Sequence, residues 1–131
     1  LAIGFSDAAP EIKDATIKAE DAIKGGLDNI LFVDLREENE RNRDGVIPGS
    51  VHLPYQALGD NIRPGGLLAA MATSPSKIIF LYCAFGERSA LGLQAMFDAG
   101  IKNACHLGGG INAWIQAGGK VDKPDGPAPQ G

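Results

Sequence analysis

The chain has 131 residues, which is the length of one ordinary domain and enough to bury a core. Its hydrophobic fraction of 44% is typical of a globular protein, and no apolar run approaches the roughly 18 residues that a membrane-spanning helix needs. The net charge is −4 and the basic residues are scattered, so we expect neither a nucleic-acid partner nor a membrane partner.

The first third of the chain predicts short elements around one buried strand. Residues 1–15 are interpreted as an N-terminal extension with at most a short helix, because Pro10 interrupts the pattern. A helix is predicted over 19–24, where a pair of glycines ends it. The continuous apolar run at 30–33 is typical of a parallel strand covered on both sheet faces. The charged stretch at 37–44 predicts a solvated helix face.

The rest of the chain alternates between strand and helix patterns. A second continuous apolar run predicts a buried strand at 78–82, and shorter strands are predicted at 51–53 and 104–107. Helices are predicted over 89–99, which a glycine ends, and over 111–117. This alternation predicts one α/β domain with a mostly parallel sheet.

Cys83 follows the strand predicted at 78–82, and the next helix pattern starts at about Ser89. Ligands of open parallel sheets bind beyond the carboxyl ends of the strands, so the six-residue loop 83–88 is a candidate site. Backbone N–H groups of such a loop can form an anion-binding nest, to which the helix dipole adds positive charge. Free cysteine titrates at about 8.5, and such surroundings lower this to roughly 3.5–7.5. Taken alone, the thiol fits either an inert core position or a nucleophile.

Two residues of the loop and the residue that follows it have side-chain or backbone properties that suit an anion site. Gly86 permits a backbone conformation that a residue with a Cβ resists. Arg88 can offer a two-pronged donor to an oxyanion, and Ser89 is predicted to be an N-cap or a hydroxyl that braces the loop.

The other loop residues are predicted to shape the rim of the site. Ala84 and Phe85 are expected to supply N–H groups and a partly apolar edge. Glu87 is the awkward member, because a carboxylate repels an anion, and we expect it to point outward or to select an acceptor.

Four motifs, taken in order, resemble the landmarks of the rhodanese domain. They are VDLREENE at 33–40, IPGSVHLP at 47–54, CAFGERSA at 83–90 and LGGGINAW at 107–114. The resemblance covers about residues 16–119, which leaves the extension 1–15 and a tail, 120–131, that is rich in proline and glycine and predicted to be disordered. It implies a rhodanese-like α/β fold: a five-stranded, mostly parallel sheet with helices on both faces.

The resemblance also implies roles for individual residues. Cys83 corresponds to the cysteine that carries a persulfide, and residues 84–88 complete the substrate loop. Asp34 and Arg36 match an Asp-x-Arg pair that braces the site from a neighbouring strand. The residues matched in the last motif are structural: Gly108, Gly109 and Trp114. One departure is Val46, which stands where the family often has histidine, and we expect it to affect packing.

The implied activity is sulfur transfer, with Cys83 taking sulfur from thiosulfate or another sulfane donor. The acceptor is a thiol, cyanide or a sulfur-carrier protein, and the loop field is expected to form the thiolate without a separate general base. Two alternatives stay open. One is a sulfur-relay or redox-sensing module with slow turnover. The other is a phosphatase or arsenate reductase of the same fold, although these loops have five residues between Cys and Arg, and Tyr82 stands where phosphatases have histidine.

Two cysteines are too few for a disulfide scaffold, which favours a reducing compartment and a cytoplasmic location. The chain begins at Leu1 with no signal-peptide pattern, so a removed upstream segment and a periplasmic origin stay open. Cys105 is predicted to be a buried structural thiol, with a resolving cysteine as the alternative. His52 and His106 lack metal-ligand spacing, so we predict no metal site and no cofactor.

Overall fold

The computed structural model describes residues 10–25, 29–73 and 77–124. Its strands are β1 (Thr16–Lys18), β2 (Ile30–Asp34), β3 (Val51–His52), β4 (Ile78–Tyr82) and β5 (Ala104–Gly108). They form one five-stranded sheet in the order β1-β5-β4-β2-β3, and each pairing between neighbouring strands is parallel. The predicted five-stranded α/β fold is therefore confirmed.

Seven helices connect and cover the strands within the described residues. They are α1 (Pro10–Asp14), α2 (Ala19–Lys24), α3 (Glu38–Asp44), α4 (Leu58–Ile62), α5 (Leu67–Met71), α6 (Glu87–Asp98) and α7 (Gly110–Gln116), with a 3-10 turn at Tyr55–Ala57. None of these helices is long and apolar enough to cross a membrane.

Alternate residues of the central strand β4 point into two separate cores, one on each face of the sheet. Ile79 and Leu81 belong to the core that α6 covers, whereas Phe80 and Tyr82 belong to the core that α7 covers. On the α7 side, the rings of Phe32 and Trp114 meet edge to face with centroids 5.6 Å apart. Because both faces are buried, the strand has to be apolar at every position, which is the pattern seen in the sequence.

Most predicted elements lie where the patterns indicate. The helix at 19–24 and the strand at 78–82 match in full, and the other predicted strands differ by a residue at one end. Residues 1–9 lie outside the described residues, and α1 is the short helix expected near Pro10. The strand β1 was not predicted, because three residues are too few to show a period of two.

Two predicted boundaries are wrong. The helix after Cys83 begins at Glu87 rather than Ser89, so the connecting loop is 83–86. The prediction of a disordered tail from residue 120 is wrong for the first residues of that tail. Asp122 and the buried Val46 exchange two backbone hydrogen bonds of 2.8 Å. Residues 125–131 of that tail lie outside the described residues.

Candidate active site

The loop 83–86 joins the carboxyl end of the central strand β4 to the N-terminus of α6. Gly86, the residue before the helix, has φ of 109°, a left-handed conformation that a side chain disfavours. This confirms the prediction for Gly86 and explains why the helix begins early, since the sharp turn at Gly86 lets helical geometry start at the next residue. Helix α6 is twelve residues long, and its positive dipole end faces the loop.

The sulfur of Cys83 is buried, and it contacts two N–H donors and one hydroxyl. The backbone N–H of Gly86 lies 3.1 Å from Sγ and that of Ser89 lies 3.4 Å from it, while Ser89 Oγ lies 3.7 Å away. The prediction that Ala84 and Phe85 supply the N–H groups is therefore wrong for the sulfur: the donors are Gly86 and Ser89, because the early helix start brings the N–H of Ser89 to the sulfur. Hydrogen bonds to the charged form of a group favour that form, so these donors stabilise a thiolate.

The first turn of α7 holds the loop from its other side. Backbone N–H groups of Ile111 and Asn112 donate to the carbonyls of Cys83 and Ala84 at 2.9 and 3.1 Å. Gly110 makes this approach feasible, because its φ is +64° and a Cβ on it would lie 2.4 Å from the backbone of Ala84. The run of glycines in the last motif therefore allows two backbone segments to touch.

Arg88 does not present its guanidinium fork to the sulfur. Its two terminal nitrogens each lie 2.8 Å from a carboxylate oxygen of Glu40, which α3 supplies. The hydrogen bond from Arg88 lowers the pKa of Glu40 to about 2, and Glu40 raises the pKa of Arg88 above its usual value. The expected free fork is thus occupied, although the charge of Arg88 still interacts with Cys83.

Three further predictions for the loop can be compared with the structure. Glu87 is exposed, as expected, and its carboxylate occupies the first turn of α6, where the helix dipole favours negative charge. Phe85 is also exposed and forms an apolar edge. Ser89 is not the N-cap, because Gly86 holds that position, but its hydroxyl lies 3.2 Å from the Gly86 carbonyl and so braces the loop.

Asp34 and Arg36 form a fully buried ion pair beside the loop. Two side-chain nitrogens of Arg36 donate to the two oxygens of Asp34 at 2.9 and 2.8 Å, and Arg36 also donates to the carbonyl of Gly45 at 2.7 Å. Burial alone would lower the pKa of Arg36, but the hydrogen bond and charge of Asp34 raise it above the usual value. Within the described residues, the hydrogen bonds of the Cys83 sulfur do not include this pair, which joins β2 to the segment after α3.

Tyr82 and Arg41 complete the surroundings of Asp34. The hydroxyl of Tyr82 donates to Asp34 at 3.0 Å, and burial raises the pKa of Tyr82 to about 12. Arg41 Nε lies 3.2 Å from the same carboxylate, and Arg41 is buried. The stretch 37–44 is therefore a helix, as predicted, but its prediction as a merely solvated face is wrong, because Glu40 and Arg41 both face inward.

The sequence alone assigned His106 to no site, yet the structure joins it to the loop. His106 is buried, its Nδ1 lies 2.8 Å from Ser89 Oγ, and its Nε2 lies 2.9 Å from Thr16 Oγ1. His52 lies instead in β3 and contacts the carbonyl of Arg36 at 2.7 Å. The signal that could have identified His106 is its position in the sheet. Because β5 lies beside β4, alternate residues of β5 can face the start of α6.

The second thiol faces away from the first. Cys105 packs against the α7-side core, whereas Cys83 belongs to the α6-side core. Burial raises the pKa of Cys105 to about 12, so it is a protonated thiol at neutral pH. Its placement fits a structural role better than that of a resolving cysteine.

These features define a class: an α/β domain with a thiol in a short loop at the helix-capped end of a parallel sheet. The model of the rhodanese-like domain matches residues 18–117. The chain therefore belongs to the rhodanese-like domain family.

Proteins related to this chain are known from several organisms. An uncharacterized protein of Synechocystis is 35% identical over 69% of this chain and 54% of its own length. A mouse thiosulfate sulfurtransferase/rhodanese-like domain-containing protein is 25% identical over 66% of this chain and 59% of its own length. The chain thus spans only slightly more than half the length of these two relatives.

Solved structures give the same fold with fuller coverage. A Rhodopseudomonas palustris protein of unknown function, described as a possible tyrosine phosphatase, has a TM-score of 0.74 and 33% identity over 93% of this chain and 96% of that one. A rhodanese-related protein from Thermoplasma volcanium has a TM-score of 0.66 and 26% identity, covering 82% of this chain and 96% of that one.

Proposed function

We propose that this chain is a sulfurtransferase that carries sulfane sulfur as a persulfide on Cys83. The observation that supports this most is that the sulfur of Cys83 is fully buried and yet has polar neighbours. Two N–H groups and a hydroxyl lie within 3.7 Å of it at the positive end of a helix. An inert core thiol needs no such donors, whereas a thiolate or persulfide anion does.

The proposed reaction has two balanced steps. The Cys83 thiolate attacks the outer sulfur of thiosulfate, a new sulfur–sulfur bond forms, and sulfite leaves with the electron pair of the broken bond. An acceptor then attacks the outer sulfur of the persulfide, so that Cys83 leaves as a thiolate. Cyanide becomes thiocyanate in this step, and a thiol or a sulfur-carrier protein becomes a persulfide. Neither step requires a redox cofactor, because the transferred sulfur keeps the same oxidation state in the donor, in the persulfide and in the product.

Residues 84–89 are proposed to bind the donor mainly through the backbone. The N–H groups of the loop and of the first turn of α6 hold the sulfur anion, and Phe85 offers an exposed apolar edge. Arg88 contributes positive charge while Glu40 holds its fork. Asp34 and Arg36 are proposed to stiffen the neighbouring strand without touching the substrate.

A phosphatase is the second candidate, because the Rhodopseudomonas palustris relative is described as a possible tyrosine phosphatase. Four residues separate Cys83 from Arg88 in this chain, and the arginine fork that would bind phosphate oxygens is paired with Glu40. Both features favour a small sulfur centre over a phosphate or arsenate. Hydrolysis of an aryl phosphate or reduction of arsenate at a rate above that of sulfur transfer would reverse this preference.

A sulfur relay between proteins fits the same chemistry with slow turnover on free thiosulfate. Rapid thiocyanate formation from thiosulfate and cyanide would favour the enzyme, and slow formation with a stable persulfide would favour the relay.

The free cysteines fit a reducing compartment, and we propose the cytoplasm.

The test is intact mass after incubation with thiosulfate and removal of the excess donor. The wild-type chain and Cys105→Ser are expected to gain one sulfur atom, and Cys83→Ser is expected to gain none. No gain on the wild-type chain, or a gain that survives in Cys83→Ser, would overturn the proposal.

A further inference from the structure

A line of buried polar atoms leads from the sulfur of Cys83 across α6 and β5 to α1. Cys83 Sγ lies 3.7 Å from Ser89 Oγ, which lies 2.8 Å from His106 Nδ1. On the far side of the ring, His106 Nε2 lies 2.9 Å from Thr16 Oγ1, and Thr16 donates to the carbonyl of Ile12 at 2.6 Å. The line thus joins the thiol to a backbone acceptor through two hydroxyls and one imidazole.

The acceptor at the end of this line determines where the hydrogens lie. A carbonyl can only accept, so the proton of Thr16 points to Ile12, and Thr16 Oγ1 accepts the proton on His106 Nε2. The other ring nitrogen, Nδ1, is then the hydrogen-bond acceptor of the ring. It accepts the hydroxyl proton of Ser89, because Nδ1 lies 2.8 Å from Ser89 Oγ and the competing carbonyl of Gly86 lies 3.2 Å from it; the oxygen of Ser89 accepts the S–H of Cys83. Burial lowers the pKa of His106 to about 4, which keeps the ring neutral in this resting state.

We propose that His106 takes up the proton of the Cys83 thiol, with Ser89 as the relay. This inference rests on the proposed function, for which it supplies the step that forms the nucleophile, and it replaces the sequence-based expectation that the loop field forms the thiolate without a separate base. The S–H bond breaks and its proton moves to Ser89 Oγ, while the hydroxyl proton of Ser89 moves to His106 Nδ1. The products are a thiolate and an imidazolium, and the net charge of the site is unchanged.

Each hydrogen bond of the line survives this transfer. Ser89 now donates to the thiolate and accepts from Nδ1–H, and Thr16 still accepts from Nε2–H. The thiolate and the imidazolium also stabilise each other, so their titrations are coupled and belong to the pair. When an acceptor removes the outer sulfur, Cys83 leaves as a thiolate and the same line returns its proton.

The other charged groups near this line give the thiol no comparable route for its proton. Arg88 is the charged side chain that interacts with Cys83, and it is a permanent cation whose charge Glu40 offsets. Tyr82 and Cys105 pack into the core on the other face of the sheet. The remaining titratable side chains of α1, β1 and α6 are exposed: Glu11, Lys13, Asp14, Lys18, Glu87 and Asp98. Among the residues that the structure describes, His106 is therefore the base connected to the sulfur.

The first test reads the protonation of the ring itself by nitrogen NMR of histidine-labelled protein. The chain has two histidines, and His52→Asn identifies the signals of His106. At the lowest pH at which ultraviolet absorbance shows the thiolate, the wild-type ring is expected to carry protons on both nitrogens, and the ring in Cys83→Ala is expected to be neutral at that pH. A wild-type ring that is already neutral where the thiolate first forms overturns the relay.

The second test follows the Cys83 thiolate by its ultraviolet absorbance in a Cys105→Ser background, where Cys83 is the single thiol. His106→Asn keeps an amide that can reach Ser89 but takes up no proton. Compared with the Cys105→Ser background, this variant is expected to form its thiolate at a pH that is higher by about one unit or more. At a pH where the thiol is mostly protonated in both proteins, this means roughly tenfold less thiolate. His52→Asn is the matched control and is expected to leave the titration unchanged. An unchanged titration in His106→Asn overturns the relay.

If His106→Asn does not fold, Ser89→Ala decides, because it removes the relay oxygen and leaves His106 in place. It is expected to reduce the ultraviolet absorbance of the thiolate at a given pH in the same way, and an unchanged absorbance overturns the proposal. None of these readings requires a sulfur donor. A thiolate that depends on His106 in a protein that takes no sulfur from thiosulfate would support the relay and contradict the proposed function. Sulfur uptake with a thiolate independent of His106 would do the reverse.

Discussion

Asp34 and Cys83 lie at the carboxyl ends of neighbouring strands and both are fully buried, but their partners differ in kind. The carboxylate of Asp34 accepts five hydrogen bonds, and two arginines balance its charge. The sulfur of Cys83 has two N–H groups and one hydroxyl, and the nearby arginine is already paired with Glu40. A buried charge whose hydrogen bonds and counter-charges are all supplied braces a fold, whereas a buried sulfur that faces two N–H donors and a hydroxyl is prepared for a reaction.

The bracing cluster is where a single substitution should cost the most stability. Asp34→Asn leaves the buried Arg36 with only the partly exposed Asp44, at 3.9 Å, as a charge partner, and breaking a buried pair in this way destabilises by about 3–5 kcal/mol. Urea unfolding monitored by circular dichroism measures the loss. Asp60→Asn is the matched control, because the Asp60–Arg63 pair is exposed and should change stability by about 1 kcal/mol or less. Equal losses in the two variants would contradict the assignment of Asp34 as a brace.

The support of the loop by α7 should be the next most sensitive feature. Gly110→Ala forces a side chain against the backbone of Ala84 in a left-handed conformation, and it should cost about 1–3 kcal/mol and slow sulfur uptake. Gly118→Ala is the control, because its φ is +89° but nothing lies within 4 Å of the added Cβ. Stopped-flow uptake from thiosulfate and urea unfolding compare the two variants. Similar uptake rates would mean that the approach of α7 does not hold the loop.

Glu40 connects α3 of the bracing region to Arg88 of the loop, and its effect should depend on pH. Its pKa of about 2 in the folded chain lies below the ordinary 4.5, so its contribution is complete above about pH 4.5 and is lost as the pH falls towards 2. Glu40→Gln should lower the free energy of unfolding at pH 7 by about 1 kcal/mol, since solvent screens a partly exposed pair. The difference from wild type should shrink between pH 4.5 and 2. A difference that stays constant over this range would contradict the role given to the pair.

The smallest effect is expected at Glu87, which lies in the first turn of α6 beside the anion site. Glu87→Gln removes a favourable interaction with the helix dipole, so stability should fall by about 0.3–1 kcal/mol. The Cys83 persulfide should still form, because the exposed side chain contacts no reacting atom. A variant that no longer takes up sulfur would show that this carboxylate has a chemical role.

The sequence predicts best those features that depend only on residues close together along the chain. The apolar runs of β2 and β4 and the turn at Gly86 are local, and each predicted its element or its conformation. The start of α6 was misjudged by two residues, because the left-handed Gly86 shortens the loop. The pairing of Arg88 with Glu40 spans 48 positions, and that of His106 with Ser89 spans 17. Such contacts depend on the strand order and on the side of the sheet that each residue faces, which no local pattern contains.

The most direct test of the central claim is to locate the sulfur by peptide mapping after the wild-type chain has reacted with thiosulfate. We expect one additional sulfur on the peptide that contains Cys83, none on the peptide that contains Cys105, and release of that sulfur as thiocyanate when cyanide is added. Sulfur on Cys105, or a Cys83 peptide of unchanged mass, would contradict it.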